Sequence, residues 1–527
     1  MTRIAIVVLT LTLGLLAAVA AVPASPWWCL GAVPLLALGL LGAWDLLQRR
    51  HSVLRNYPVL GHARFLLERI RPELQQYFIE RNFDGRPFDR DVRTIVYERA
   101  KGTDAEQPYG TERDVYLAGY EYLVPSMAPR QAPGTPPRVR IGGPDCRHPY
   151  DMALLNVSAM SFGSLSANAI LALNGGAAAG GFAHDTGEGG LSEYHLRPGG
   201  DLVWEIGTGY FGCRTRDGDF DPAEFADKAA HDHVKCVSLK LSQGAKPGIG
   251  GVLPGTKVNA EIAKVRDVPQ GQTVISPPYH KLFSTPRELV RAVARLRELS
   301  GGKPTGFKLC VGSRQQFLAV CKAMLEEGAT PDFIIVDGGE GGTGAAPMEF
   351  ADHVGAPLTE GLLTVHNALV GAGLRDRVRI GASGKIATGT DLVKRLVQGA
   401  DYGNAARAMM FAVGCIQAQR CHTNTCPSGV ATQDPRRARA LDVRDKTPRV
   451  RRFQEATVAS ALEIMASMGV TDPAELRPHM LRRRVDPHTE RSYEELYKWL
   501  EPGQLLAEPP EAWAADWKTA DPDRFTV

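Results

Sequence analysis

The sequence predicts an α/β protein, a (β/α)8 TIM barrel preceded by a transmembrane helical hairpin and followed by a short α-helical tail. Three observations carry this. Between residues 151 and 435, short apolar runs alternate with segments of helical periodicity, the rhythm of parallel strands joined by crossover helices. Residues that bear chemistry fall at the C-terminal ends of several of those runs, which favours a barrel over a doubly wound sheet. No charged side chain occurs between residues 4 and 44.

That uncharged stretch is interrupted once, by Pro23-Ala-Ser-Pro26, and each half has about the length that crosses a hydrocarbon core. A cleaved signal peptide would also begin this way, but the second apolar span and the single Arg3 in front argue for a hairpin. Arg49, Arg50, Arg55, Arg64, Arg69 and Arg71 follow closely. By the positive-inside rule they place a multi-pass protein in the inner (cytoplasmic) membrane with its catalytic domain in the cytoplasm. Trp27, Trp28 and Trp44 suit the interfaces.

Residues 61–81 are expected as a helix, with Leu66, Leu67, Ile70 and Leu74 at helical spacing. A proline-rich connector with Pro125, Pro129, Pro133, Pro136 and Pro137 leads into the barrel. Its expected strands are 154–157, 237–241, 306–310, 333–336, 378–380 and 400–404, with helices at 168–179, 285–299, 315–327, 359–372 and 388–398. A further helix is expected over 453–467, and the basic run Arg482, Arg483, Arg484 as a solvated face. The expected domains are 1–48 (two transmembrane helices), 49–150 (helical and extended connector), 151–440 (barrel with a cysteine loop) and 441–527 (helical extension).

The charge is nearly balanced, 61 basic against 58 acidic side chains, which sets nucleic acid aside as a partner. Nine scattered cysteines fit a reducing compartment. Only Cys415, Cys421 and Cys426 cluster, and they lie downstream of two glycine-rich turns, Gly381-Ala-Ser-Gly-Lys385 and Gly403-Asn-Ala-Ala-Arg407. Such turns on late barrel strands hold phosphate, with Lys385 or Arg407 to neutralise it, as flavin mononucleotide (FMN) requires. Five residues separate the first two cysteines and four the next pair, so three thiolates suggest a three-iron cluster. Zinc held by the trio with His422, or three free thiols, are the competing readings.

Further motifs sit at the expected strand ends. Val157-Ser-Ala-Met-Ser-Phe-Gly-Ser-Leu-Ser166 suits either a flat ring or an ordinary βα turn. Asp185-Thr-Gly-Glu-Gly-Gly190 follows. Lys240 alternates with Leu239 and Leu241, so it points inward and needs an anionic partner or a depressed pKa. Lys246, in the loop behind it, either meets a substrate carboxylate or is solvated. Lys308 and Asp337 would be charged groups in the barrel mouth, where a structural salt bridge would explain them equally. The glycines around Gly341 and Gly342 allow backbone to approach a ligand. No G-x-G-x-x-G opens a helix after a first strand, which weakens a nicotinamide reading.

Together, SAMSFGSLS, DTGEGG, SQGAKPG, SPP, DGGEGGTGA and C-x5-C-H-T-N-T-C-P-S-G-V-A-T-Q-D-P resemble the FMN-binding, iron–sulfur synthase domain of glutamate synthase, over about 151–435. The resemblance implies FMN, a [3Fe–4S] cluster and reduction of 2-iminoglutarate, formed from 2-oxoglutarate and an amine or ammonia, to L-glutamate. It puts Ser158, Ala159, Met160 and Lys308 beside the flavin, Gly341 and Gly342 among the cofactor contacts, and Gly384, Lys385, Asn404 and Ala405 near its phosphate. Gln243 and Lys246 fall near the oxo-acid carboxylates, with Lys240 and Asp337 completing the candidate catalytic set. Cys415, Cys421 and Cys426 match the cluster ligands. The electron donor would be a ferredoxin or a separate reductase subunit. This chain has no glutaminase domain, and it carries Ile249 where the family reads K-P-G-E-G-G and Tyr210 where an arginine is frequent. Those departures keep two alternatives in view: an FMN barrel acting on another 2-oxo acid or N-substituted amino acid, and a non-catalytic membrane-tethered redox scaffold.

Overall fold

A computed structural model describes residues 2–22, 25–103 and 106–526. The chain divides into two compact units, Met1–Arg90 and Asp91–Val527. In the first, α1 (Thr2–Ala21) and α2 (Cys29–Leu47) are long and apolar enough to cross a membrane, with mean hydropathies of 2.7 and 1.8 over their spans. They pack through glycines: a Cβ at Gly39 would lie 2.5 Å from Leu11 Cδ2, so the two backbones come close only because nothing stands there. Pro23 and Ala24 of the expected turn lie outside the described residues; Pro26–Trp28 forms a 3-10 turn into α2.

Two short helices follow, α3 (Ser52–Asn56) and α4 (Gly61–Leu74). The expected helix over 61–81 changes character near its end. Pro72 removes one N–H from the ladder, and the next turn, Gln75–Ile79, is a π-turn closed by Glu80 N–H donating to Gln75 O at 2.9 Å.

The second unit holds a closed parallel barrel. Its strands are β1 (Leu155–Val157), β2 (His184–Asp185), β3 (Leu202–Ile206), β4 (Val234–Lys240), β5 (Thr305–Leu309), β6 (Phe333–Asp337), β7 (Arg379–Ser383) and β8 (Tyr402–Ala405). The ring closes where Gly403, Asn404 and Ala405 pair with Leu155, Asn156 and Val157. The two glycine turns therefore end the seventh and eighth strands. β2 and β3 are absent from the expected strands. β2 is two residues long, too short for any period to register.

An antiparallel hairpin, Arg138–Ile141 with Tyr150–Ala153, plugs the N-terminal end. Its Ile141 and Met152 are buried against Ala183, Val203, Cys236, Phe333, Ile335 and Tyr402 from inside the barrel. Polar side chains are thereby left for the C-terminal mouth. The outer helices begin on capping side chains, for example Thr285 before Pro286–Leu299 and Thr388, in a capping box with Asp391, before Gly389–Val397.

The helix expected over 453–467 spans Val443–Ser467 and runs through Pro448, because Asp442 caps it upstream and its face packs on Ala167–Gly180. The basic run is not a solvated face. Leu481–Arg484 is the middle strand of a three-stranded sheet, between Glu121–Leu123 and Glu490–Ser492, and Glu490 and Glu495 neutralise Arg482.

Candidate active site at the barrel mouth

Because side chains alternate along a strand, β3, β4, β5 and β6 send Glu205, Lys240, Lys308 and Asp337 to the barrel interior near its mouth. All four are buried. Lys308 makes a close ion pair with Glu205, and the two side chains are 5% and 1% exposed. The partner is thus Glu205 and not Asp337, which instead accepts the Gly244 N–H at 2.8 Å. Burial works against the Lys308 charge, but Glu205, Asp185 and Asp337 outweigh it and hold its pKa above the ordinary lysine value. Asp185 shares this cluster. Burial and then Glu205 push its pKa up to about 7, with Lys308 pulling the other way.

Lys240 has its anionic partner in Glu188, at 3.1 Å, and also donates to Gln243 Oε1 at 3.2 Å. Lys246 is 2% exposed rather than solvated; burial lowers its pKa while Glu188 opposes that. Burial likewise lowers Arg266 to about 10, although Glu188 acts against it. Arg266 donates through Nη2 to Ser161 Oγ at 3.3 Å and Phe162 O at 3.1 Å, and its Nε has no partner. Three buried cations therefore act on one carboxylate, and all three hold the Glu188 pKa down against its burial. The glycine loop clasps this acid: a Cβ at Gly251 would lie 2.4 Å from Glu188 Oε1. The same loop touches the β6 turn backbone to backbone, since a Cβ at Gly244 would meet Gly338 O at 1.7 Å.

Tyr210 is fully buried, with φ of 50°. Its hydroxyl accepts the Lys281 N–H at 2.9 Å and the Leu282 N–H at 3.2 Å and lies 3.3 Å from His280 Nδ1. His280 Nε2 in turn donates to Lys240 O at 2.8 Å. Burial lowers the His280 pKa to about 4, so the ring is neutral and its Nδ1 accepts a hydrogen bond from the Tyr210 hydroxyl. Tyr210 thus pins the loop after β4 to the barrel. Ile249 is half-buried in the glycine loop.

On the other side of the mouth, the buried Ser158 and Ser383 hydroxyls lie 3.3 Å apart, and Asn404 and Ala405 are buried at the end of β8. Met160 is buried and Ala159 half-buried. β7 runs into Gly384, φ 145°, and Lys385, φ 50°, a turn that a side chain at 384 would strain. Arg407 donates to Glu340 O at 2.7 Å. Burial brings its pKa down to about 10, although Asp337 and Glu340 act against that. Gly341 is half-buried and Gly342 exposed beside it. Hydroxyls, an amide, a half-buried cation and a side-chain-free turn form a donor set that fits a phosphorylated, carbonyl-bearing ring.

Among the described residues, no three His, Cys, Asp or Glu side chains are arranged to hold a single metal ion. The cysteines nonetheless act on one another electrostatically and sit among hydrogen-bond donors. Burial raises the Cys426 thiol, but the Ser428 hydroxyl and the N–H groups of Ala431, Ser428 and Val430 prevail and lower it. The Gln417 N–H donates to Cys415 Sγ at 3.4 Å. Gln417, Gln419 and Asn424 all hold left-handed backbone (φ 56°, 54° and 62°), a strained path. Lys257 joins this loop to the barrel, donating to Ser164 O and Ala431 O at 3.1 Å. Soft donors in a nest of N–H groups fit an iron–sulfur cluster better than a lone ion.

Glu188, Glu205, Arg266 and Lys257 were missing from the sequence reading. Glu205 had a legible signal, a lone charge in the apolar run Leu-Val-Trp-Glu-Ile. Glu188 lay inside a quoted motif. The burial of Arg266 and Lys257 depends on tertiary packing.

Residues 149–471 match the family described as "Conserved region in glutamate synthase". The chain is 38% identical over 497 residues to the glutamate synthase large subunit-like protein YerD of Bacillus subtilis, covering 86% of this chain and 94% of that protein. It is 34% identical over 330 residues to an archaeal glutamate synthase [NADPH] of Methanocaldococcus jannaschii, covering 62% of this chain and 61% of the other. A mandelate oxidase crystal structure aligns at 14% identity with a TM-score of 0.42, covering 76% of this chain and 97% of that one.

Proposed function

This chain belongs to the glutamate synthase family, and from that premise we propose that it is a membrane-anchored oxidoreductase that reductively aminates 2-oxoglutarate, through 2-iminoglutarate, to L-glutamate. The observation that carries the reading is the set of three buried cations, Lys240, Lys246 and Arg266, around the single carboxylate Glu188. That excess of positive charge suits a substrate with two carboxylates. Burial makes each contact to it stronger than it would be in water.

Ser158, Ala159, Met160 and Lys308 would hold the ring of FMN, and Gly341, Gly342, Gly384, Lys385, Asn404 and Ala405 its phosphate end. Cys415, Cys421 and Cys426 would hold a [3Fe–4S] cluster. When bound, the flavin supplies hydride chemistry and the cluster single-electron transfer. The protein's own part is positional. Lys246 and Arg266 fix the acid's carboxylates, Gln243 is oriented by Lys240, and the glycine loop over Glu188 excludes water. Condensation of the oxo acid with ammonia releases water, and two electrons with two protons then convert the imine to the amine. A ferredoxin or a separate reductase subunit would supply the electrons, and α1 and α2 would anchor the enzyme in the inner membrane, catalytic unit in the cytoplasm.

Ile249 favours a second reading, in which the same cofactors act on another 2-oxo acid, because an apolar residue replaces the family's glutamate in the loop over Glu188. A screen of oxo acids and amines against the anaerobically reduced protein separates the two. Reoxidation by 2-oxoglutarate with ammonium supports the first, and reoxidation only by a different pair supports the second. Purified, reconstituted protein lacking flavin, iron and sulfide would sink both.

A further inference from the structure

The helix that follows the hairpin carries an apolar face the barrel chemistry does not use. Along α4 and its π-turn, Leu66 and Leu67 are each 60% exposed, Tyr77 54% and Phe78 81%, with Ile70 and Leu74 also exposed. At about 100° per residue along α4, Leu66, Leu67, Ile70 and Leu74 fall within an arc of roughly 100°, and the more slowly winding π-turn carries Tyr77 and Phe78 back over the same side, an amphipathic face wide enough to seat the helix shallowly in an apolar surface. Arg69 flanks one edge, next to Glu73, and Arg64 and Arg71 flank the other, while Glu68 and Gln75 lie opposite. An unbroken exposed apolar face of this length marks a partner surface.

Its placement says which partner. Asp45, buried in the last turn of α2, accepts the Val59 N–H at 2.9 Å and lies 2.9 Å from His62 Nε2. A Cβ at Gly42 of α2 would come within 3.2 Å of Val59 Cγ2. The first turn of α4 is thus bolted to the end of the second apolar span, one residue beyond the exposed Trp44. Arg49, Arg50 and Arg55, all exposed, occupy the connection.

We infer that α4 and its π-turn lie in the plane of the lipid–water interface, with Leu66, Leu67, Ile70, Leu74, Tyr77 and Phe78 among the acyl chains and the arginines on anionic headgroups. The inference rests on the reading of α1 and α2 as membrane spans and adds a third contact element to it. Buried apolar area and attraction of basic edges to anionic lipid are the two terms that hold such helices.

The test uses the full chain in vesicles of phosphatidylcholine and phosphatidylglycerol, with p-benzoylphenylalanine placed singly at Leu40, Leu67, Leu74, Glu68 or Gln75 and the photoadducts read by mass spectrometry. Leu40, on α2, reports on the hairpin alone. The expected result is lipid adducts from Leu40, Leu67 and Leu74 and none from Glu68 or Gln75. Omitting phosphatidylglycerol should reduce the Leu67 yield several-fold and leave the Leu40 yield unchanged. Lipid adducts from Leu40 with protein adducts from Leu67 and Leu74 would overturn the inference and leave the hairpin standing; a covalent dimer would identify a second copy as the occupant. Adducts with neither lipid nor protein at Leu67 and Leu74 would overturn it as well. Absence of lipid adducts from Leu40 would remove both readings, and equal Leu67 yields without phosphatidylglycerol would remove the anionic-headgroup part.

Discussion

Replacing Lys308 with methionine removes one end of an ion pair whose other end, Glu205, has only 1% of its side chain exposed. The carboxylate left behind has no water to turn to, and such orphaned charges cost about 3–5 kcal/mol of stability. The cost depends on pH. Without the ammonium, the pKa of Asp185, already raised by burial and by Glu205, rises further. A carboxyl whose folded pKa lies above its unfolded value supports the fold below the unfolded value and ceases to as pH rises through the folded one. The Lys308→Met deficit should therefore be larger at pH 8 than at pH 5.5. Adding Glu205→Leu should recover part of the loss, because replacing both partners of a buried pair costs less than orphaning one. Denaturant unfolding of the detergent-solubilised chain, followed by circular dichroism, measures each variant. A Lys308→Met loss below about 1 kcal/mol, the scale of an exposed pair, with no pH dependence would refute the buried pairing.

Four other side chains carry further expected outcomes. Asp185→Asn keeps an acceptor for the Gly187 N–H but cannot ionise; since wild-type Asp185 titrates in the fold at about 7 against an ordinary 3.8, the variant should gain up to about 2 kcal/mol on the wild type between pH 5 and pH 7 in unfolding titrations. Tyr210→Phe strips the acceptor from the Lys281 and Leu282 N–H groups and should lower stability by about 1–3 kcal/mol in the same assay, a loss that Tyr210→Arg, also without an acceptor, should not repair. Cys421→Ser should lose iron and sulfide by elemental analysis while retaining flavin, whereas Lys246→Met should keep both cofactors and raise KM for the oxo acid.

How far the sequence was legible depends on where each signal is stored. Six of the eight barrel strands announce themselves as apolar runs, and the helices between them start on residues such as Thr285 and Thr388 that cap by their own local chemistry. His184–Asp185 does not, because two residues carry no period. The inward direction of Lys240 followed from alternation, but its partner Glu188 comes from a turn some fifty positions away in the chain, and the pairing exists only once the barrel closes. Arg266 ends the helix Ala260–Arg266, where a basic residue ordinarily faces water and answers the helix dipole; its burial beneath the glycine turns is a tertiary fact. Arg482 misled for the complementary reason. A run of arginines reads as a solvated surface unless one knows that Glu490 and Glu495 return alongside it. Tyr210, legible in the sequence only as a departure from the family pattern, is in the structure a clasp on the loop at His280.

The proposed reaction passes electrons through a flavin in this barrel to the imine of a dicarboxylic oxo acid. Its most direct test is to reduce the reconstituted, purified protein anaerobically, mix it with 2-oxoglutarate and ammonium, and follow flavin absorbance together with L-glutamate. The absorbance should return, and glutamate should form in proportion to the flavin reoxidised. Flavin that stays bleached with this pair, in a protein whose flavin and iron contents are intact, would contradict it.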